Sequence, residues 1–147
     1  MRIRILAAGK PSLAWARTAI GDYHKRLSRF GRCDIDFVKA GDPAPVSRDL
    51  LTRSAGCFRV ALDERGEALT TRQLARRIGS LEQQGEIKTL AFLIGAADGH
   101  TDALRQQADL VLTLSPLTLQ HELALVVLLE QLYRVAYLRR GGPYHRD

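Results

Sequence analysis

The sequence predicts an α/β domain with a mainly parallel sheet and helices on both faces. Three observations carry that prediction. Short strand-like segments alternate with longer segments of helical periodicity along the whole chain, as in a series of βα units. One segment, Thr89 to Ile94, is almost wholly apolar, as a central parallel strand covered on both sides must be. Glycine- and proline-containing turns follow the strands, and no internal repeat or low-complexity run interrupts the alternation. At 147 residues, the stretch 1–147 reads as one domain, large enough to bury a core without disulfides or structural metal.

Residues 2–8 alternate basic and apolar before Gly9-Lys10-Pro11, a strand that ends in a loop. A helix is expected next. Ser12 is placed to cap it, and Leu13, Ala16, Ile20, Tyr23, Leu27 and Phe30 recur at three- and four-residue steps. Cys33 to Lys39 alternates again, with Ile35 and Phe37 inward. Gly41-Asp42-Pro43-Ala44-Pro45 breaks that pattern, and Ser47 is expected to open a short helix. Phe58 to Leu62 forms a third strand that the turn Asp63-Glu64-Arg65-Gly66 should end. Thr70 or Thr71 then caps a helix whose apolar face is Leu74, Ile78 and Leu81. The central strand Thr89 to Ile94 runs into Gly95-Ala96-Ala97-Asp98-Gly99 and a short helix from Thr101. Leu110 to Leu114 makes a last strand, and Gln120 to Leu138 the last helix.

That helix contains Leu123-Ala124-Leu125-Val126-Val127-Leu128-Leu129, an apolar run that covers its full circumference. A single sheet covers one side only. The other side must be threaded into the same core or packed on a second copy, and a homodimer is the favoured expectation.

Lys and Arg number 22 against 16 Asp and Glu, a formal charge of +6 in which Arg predominates. Guanidinium suits bidentate phosphate contact, so a polyanionic partner is expected. Cys33 and Cys57 lack the spacing of a redox or zinc motif and read as buried, reduced thiols. No apolar run reaches membrane-spanning length and no signal-peptide region opens the chain, which points to the cytoplasm and to no membrane partner.

Several chemistries are excluded by spacing. His121-Glu122 begins a zinc-protease motif, but Leu125 stands where the second histidine belongs. His24, His100 and His145 are scattered, so no metal is expected. Neither a nucleophile elbow nor a Walker loop occurs. The Gly95–Gly99 loop follows a strand and opens a helix, yet lacks the dinucleotide fingerprint and carries Asp98, which repels a pyrophosphate and tolerates a neutral or cationic cofactor. In open parallel sheets, ligands lie at the carboxyl ends of the strands. The glycine loop and the Ser115-Pro116-Leu117-Thr118 turn both fall there, as two loops from neighbouring strands that build one pocket.

The tail after the last helix concentrates chemistry. Arg139-Arg140-Gly141-Gly142-Pro143 frees and then stiffens the backbone, and Tyr144, His145 and Arg146 follow as phenol, imidazole and guanidinium. That set can hold a phosphate and move a proton.

Four segments together resemble one known family: Phe92-Leu93-Ile94-Gly95-x-x-Asp98-Gly99, Leu114-Ser115-Pro116-Leu117-Thr118-Leu119-x-His121, Leu129-Glu130-Gln131-Leu132-Tyr133-Arg134 and Pro143-Tyr144-His145-Arg146. In this order and spacing they are similar to the RlmH family of ribosomal RNA large-subunit methyltransferases, of the SPOUT superfamily. The resemblance spans essentially the whole chain and is weakest between Gly41 and Cys57. Ala96, Ala97, Asp98 and Leu125 stand where family members often carry glycine, proline, glutamate and a basic residue.

The resemblance implies a homodimer with a C-terminal trefoil knot that binds S-adenosyl-L-methionine. The implied activity is methylation of nitrogen N3 of a pseudouridine in 23S rRNA of the assembled ribosome. Cofactor positions carry over to Leu62, Gly95, Leu114, Ser115, Pro116, Leu117, Thr118 and Leu119. In the tail, His145 is the candidate general base, because imidazole titrates near neutrality. Tyr144 is expected to stack on or orient the target base, and Arg146 to hold negative charge, with the tail acting on the cofactor of the other subunit. His121 is a second candidate base. Lys25, Arg26, Arg29 and Arg32 on the first helix, with Arg139 and Arg140, are expected to contact RNA phosphates. Two alternatives stand beside this one: a catalytically inactive ribosome-binding module of the same fold, and an enzyme for a small anionic metabolite.

Overall fold

A strand buried from its second residue onward organises the molecule. The computed structural model describes residues 1–146, and β4 (Thr89–Ile94) lies at the centre of its five-stranded parallel sheet. The strand order is β2 (Cys33–Val38), β1 (Arg2–Ala8), β4, β3 (Phe58–Ala68), β5 (Leu110–Thr113). Side chains alternate across the sheet, so Leu90, Phe92 and Ile94 enter one core and Ala91 and Leu93 the other. The first core is covered by α1 (Ala14–Leu27), α3 (Thr71–Gln84) and α5 (His121–Arg139), the second by α2 (Pro43–Arg53) and α4 (Asp102–Gln107). Helices on both faces were expected, and Phe92 and Leu93 are both wholly buried as a result. At about 25 cal/mol per Å², such side chains are each worth roughly 1.5–3 kcal/mol.

Several element ends differ from expectation for identifiable reasons. The N-cap of α1 is Leu13, without a side-chain cap, because Ser12 is engaged with Glu122 instead. Helix α2 starts at Pro43 rather than Ser47. Proline tolerates a first helical turn, where its missing N–H has no partner to lose, and Ser47 is buried with its hydroxyl accepting the Thr101 amide. Strand β3 does not end at the Asp63–Gly66 turn. It leaves the ladder after Leu62 and rejoins at Glu67, so that Leu112 of β5 is the register partner of both. Cys33 is buried, but Cys57 precedes β3 and is only half-buried. The capping box Thr70–Gln73 fixes the start of α3, a motif worth about 1 kcal/mol.

Helix α5 packs against both α1 and α3. Leu125, Leu128 and Leu129 of its apolar run are buried, Val126 and Val127 are half-buried and Leu123 is exposed. The chain's own core therefore covers one flank of the helix and leaves the start of the other open.

Candidate active site

Three strands deliver loops to one place. Beyond the carboxyl ends of β3, β4 and β5, a cavity of about 220 Å³ is lined by Leu62–Arg65, Ile94–Gly99, Thr113–Ser115, Leu117–Leu119 and two side chains of α5, His121 and Ala124. Of the positions expected to hold a cofactor, Leu62, Gly95, Leu114, Ser115, Leu117, Thr118 and Leu119 all line it. Pro116 does not; it sits exposed on the turn.

The expectation of two loops from neighbouring strands needs correction. Strand β3 lies between β4 and β5, so the Asp63–Gly66 excursion forms a third wall. Sequence reasoning missed Asp63, Glu64 and Arg65 because it read that segment as a plain strand-ending turn, although Leu62 directly before it was already marked. Asp63 is held by Arg105 Nη1 at 3.1 Å, and the same nitrogen donates to the His100 carbonyl at 2.7 Å. Thr118 Oγ1 donates to Glu64 Oε2 at 2.7 Å, closing the β5 turn onto the β3 excursion.

Behind the glycine loop lies His100, 5% exposed. Its Nε2 is 3.0 Å from the Leu93 carbonyl and so carries the proton, while Nδ1 has no partner among the described residues. Burial pushes the imidazole below its ordinary value, which keeps it neutral. A Cβ on Gly95 would lie 3.0 Å from the Gly99 carbonyl carbon and 3.2 Å from that Nδ1, so the loop approaches its own support as closely as glycine permits.

The cavity suits a flat heterocycle joined to a cation. Backbone groups of two loops can read polar edges, leucines enclose the faces, and Glu64 and Asp98 put negative charge at the wall. A pyrophosphate would meet that charge. Among the described residues no cluster of histidine, cysteine, aspartate or glutamate could hold a metal.

The tail sits elsewhere. After α5, Gly141 turns the chain at φ 71°, the Gly142 amide donates to the Tyr137 carbonyl at 2.8 Å, and the tail folds back on its own helix. The Tyr144 ring packs on those of Tyr133 and Tyr137, with centroids 4.8 and 5.6 Å away, and the Arg134 guanidinium lies over it at 4.8 Å. Burial pushes the Tyr144 phenol up to about 12, so it stays protonated through neutrality. Arg134 Nη1 lies 3.3 Å from His145 Nδ1. Arg146 is exposed. None of the three tail residues lines the cavity of the same chain.

The expected phosphate contacts divide. Lys25 and Arg29 are exposed and make no ion pair among the described residues. Arg26 pairs with Asp22 at 3.2 Å, Arg32 with Asp34 at 3.0 Å and Arg139 with Glu82 at 2.7 Å, while Arg140 lies over the Phe30 ring. His121 lines the cavity, whereas its neighbour Glu122 is buried and structural.

A parallel sheet with a three-loop pocket at its carboxyl end, closed by the turn after β5, defines the class. Residues 1–145 match the family described as "Predicted SPOUT methyltransferase", and the chain belongs to that family. Full-length relatives narrow the assignment. The chain is 51% identical to "Ribosomal RNA large subunit methyltransferase H" of Thermus thermophilus over 146 residues, covering 99% of both chains. It is 40% identical to the protein of the same name from Deinococcus radiodurans, again over 99% of both. The chain is thus a member of the ribosomal RNA large subunit methyltransferase H group, RlmH. Solved structures share the fold: a probable methylase from Haemophilus influenzae (TM-score 0.59, 12% identity, 99% of this chain and 70% of that one) and the tRNA (m1G37) methyltransferase of Aquifex aeolicus (0.58, 12%, 100% and 76%).

Proposed function

We propose that this chain, as a homodimer in the cytoplasm, uses S-adenosyl-L-methionine to methylate nitrogen N3 of a pseudouridine in 23S rRNA of the assembled ribosome. The observation that carries this is the convergence of the expected cofactor residues, all but Pro116, on one cavity in a chain of this family.

When bound, S-adenosyl-L-methionine supplies a methyl group on a sulfonium. Leu62, Gly95, Leu114, Leu117 and Leu119 would hold it, with Ser115 and Thr118 as the polar groups of the wall, and Glu64 and Asp98 would favour its positive charge. The acceptor needs in-line placement, which is worth far more than any single functional group. Tyr144, His145 and Arg146 contact the acceptor base and its oxygens. Because they sit away from the cavity of their own chain, they serve the cavity of the partner subunit, and the dimer becomes the active unit. Lys25 and Arg29, which make no ion pair among the described residues, make the first phosphate contacts; Arg26, Arg139 and Arg140 must exchange partners to join them.

Single-turnover methyl transfer tests the proposal, with labelled cofactor offered to free 23S rRNA, large subunits and 70S ribosomes lacking the modification. Mass spectrometry of rRNA fragments should locate one added methyl on a pseudouridine N3 in ribosomes. Micromolar cofactor binding by calorimetry is the companion expectation. Absence of both would favour the inactive docking module.

A further inference from the structure

We infer that a second cavity, at the end of the sheet opposite the cofactor pocket, receives one unstacked nucleobase of the RNA substrate, with Arg139 and Arg140 at its mouth to hold the flanking phosphates. The inference rests on the rRNA methyltransferase function proposed above for the choice of occupant. It adds a grip on the RNA at a nucleotide remote from the acceptor.

The cavity has a volume of about 240 Å³ and lies where the amino ends of β1 and β2 meet the last turns of α1, α3 and α5. Parallel strands begin at one edge of a sheet, so Ile3 and its register partner Cys33 stand here together. The loops of the cofactor pocket are a strand's length away, roughly 20 Å for the six residues of β4. The floor of the cavity is apolar: Leu27, Ile78, Leu132 and Val135 are all buried. Cys33 belongs to the same floor. Burial pushes its thiol up to about 11, so it is a neutral, apolar wall near pH 7 and no nucleophile.

The mouth is polar and mainly cationic, with Arg32, Arg139 and Arg140 beside Glu82. Arg139 pairs with Glu82 at 2.7 Å and Arg32 with Asp34 at 3.0 Å, through side chains that are each at least 34% exposed. Ion pairs so exposed contribute little, so a phosphate can replace the carboxylate at small cost. The Arg140 guanidinium lies 4.7 Å over the half-buried ring of Phe30, which also lines the cavity. A base entering between them would stack on the phenylalanine and carry the guanidinium on its outer face. Aromatic rings and guanidinium planes are the two surfaces on which proteins hold single-stranded bases. On its α3 side Arg139 borders a further groove with Arg76, Ser80 and Gln83, where the next phosphate along the strand would meet donors.

A fatty acid would fill the floor and meet one guanidinium, but would leave the Phe30 face and the groove beyond Arg139 unused. A bare phosphate would use the mouth and not the floor. A nucleotide uses both, and a chain of formal charge +6 that acts on RNA gathers nucleotides around it. Stacking tolerates any base, so the contact adds grip and register, not sequence preference.

A uridine-rich single-stranded oligoribonucleotide carrying one 5-iodouridine, bound to the purified protein and irradiated, reads the contact directly. Peptide mass spectrometry should place the cross-link at Phe30. Cross-links confined to the tail or the cofactor pocket overturn the inference. Two variants measure the weight of the contact. Ala136→Trp fills the cavity from a half-buried position on α5, and Phe30→Leu keeps the floor apolar but removes the ring. Each should weaken oligonucleotide binding by about tenfold and leave S-adenosyl-L-methionine affinity unchanged; if Ala136→Trp does not fold, Phe30→Leu carries the test. A strand with abasic residues should bind more weakly than the base-bearing one, and equally to wild type and Phe30→Leu. Wild-type affinity in the variants, or equal affinity for the abasic strand, reduces the cluster to a phosphate surface and overturns the inference. Micromolar binding of decanoate with no cross-link at Phe30 assigns the cavity to an acyl chain and overturns it too. If wild type methylates no rRNA, the proposed function fails while the cross-link still reports the cavity. If wild type methylates rRNA and Phe30→Leu grips RNA unchanged, only the present inference fails.

Discussion

Glu122 Oε1 accepts the backbone N–H of Ser12 at 2.7 Å, and the Ser12 hydroxyl donates to the other carboxylate oxygen at 3.2 Å. With the Leu13 amide also donating, at 3.0 Å, this clamp joins the starts of α1 and α5 beside the cavity. It explains why Ser12 does not cap α1, and why a carboxylate is tolerated in a buried position.

The clamp and His100 together set the acid stability. Donated hydrogen bonds, first that of Leu13, hold the Glu122 carboxyl below its ordinary 4.5, and burial holds His100 below 6.5. In both cases the unfolded chain binds protons more readily, so stability falls as pH falls. Denaturation midpoints should decline first below 6.5, as His100 is forced to charge, and further below 4.5, as Glu122 protonates. Glu122→Gln should remove the lower phase and lower Tm at pH 7 by about a few degrees.

Two glycines are expected to behave differently. A Cβ at Gly66 would lie 2.6 Å from the Leu112 backbone, where neither strand can yield, so Gly66→Ala should unfold the β3–β5 end or prevent folding. At Gly95 the nearest approach is 3.0 Å, so Gly95→Ala should fold but bind S-adenosyl-L-methionine roughly tenfold more weakly or worse, a loss of about 1.4 kcal/mol by calorimetry.

Trp15 is 51% exposed, and Leu13 and Leu123 stand exposed beside it at the helix starts that Glu122 ties together. A second copy covering this patch would complete the α5 flank left open in one chain. Light scattering should give twice the mass of one chain, and Leu123→Glu should yield monomers. Methyl transfer should then fall by roughly tenfold or more while cofactor affinity changes little.

Binding to rRNA should weaken with salt. If about four cations contact single-stranded phosphates, log K falls against log salt with a slope of roughly −3. Lys25→Glu with Arg29→Glu should reduce that slope by about 1.4. Arg32→Glu should change it less, because Asp34 already partners Arg32 at 3.0 Å.

The strand order was not legible, but the strands were. Apolar runs and period-two alternation follow from burial on both faces or on one, so Thr89–Ile94 reads as central without any knowledge of its neighbours. Local chemistry likewise marks Thr70 or Thr71 as a cap, and the structure uses Thr70. Long-range competition is invisible in the same letters: Ser12 could cap a helix, and fails to because a carboxylate 110 positions away takes it. The Asp63–Gly66 wall was missed for the same reason, since a turn that leaves and rejoins a ladder looks like one that ends it. In the tail, composition identified Tyr144, His145 and Arg146, but not Arg134, whose place over the Tyr144 ring depends on the chain folding back.

Sequence by itself determined the α/β class, the order of the elements and the residue types of the tail, because propensity, periodicity and turn chemistry act over a few residues; the pocket residues followed from the family resemblance. Only the tertiary structure decided that β3 lies between β4 and β5, that three loops meet in one cavity and that Arg134 faces His145 Nδ1. Those are contacts between distant segments, fixed by the burial of the whole core and not by any stretch of it.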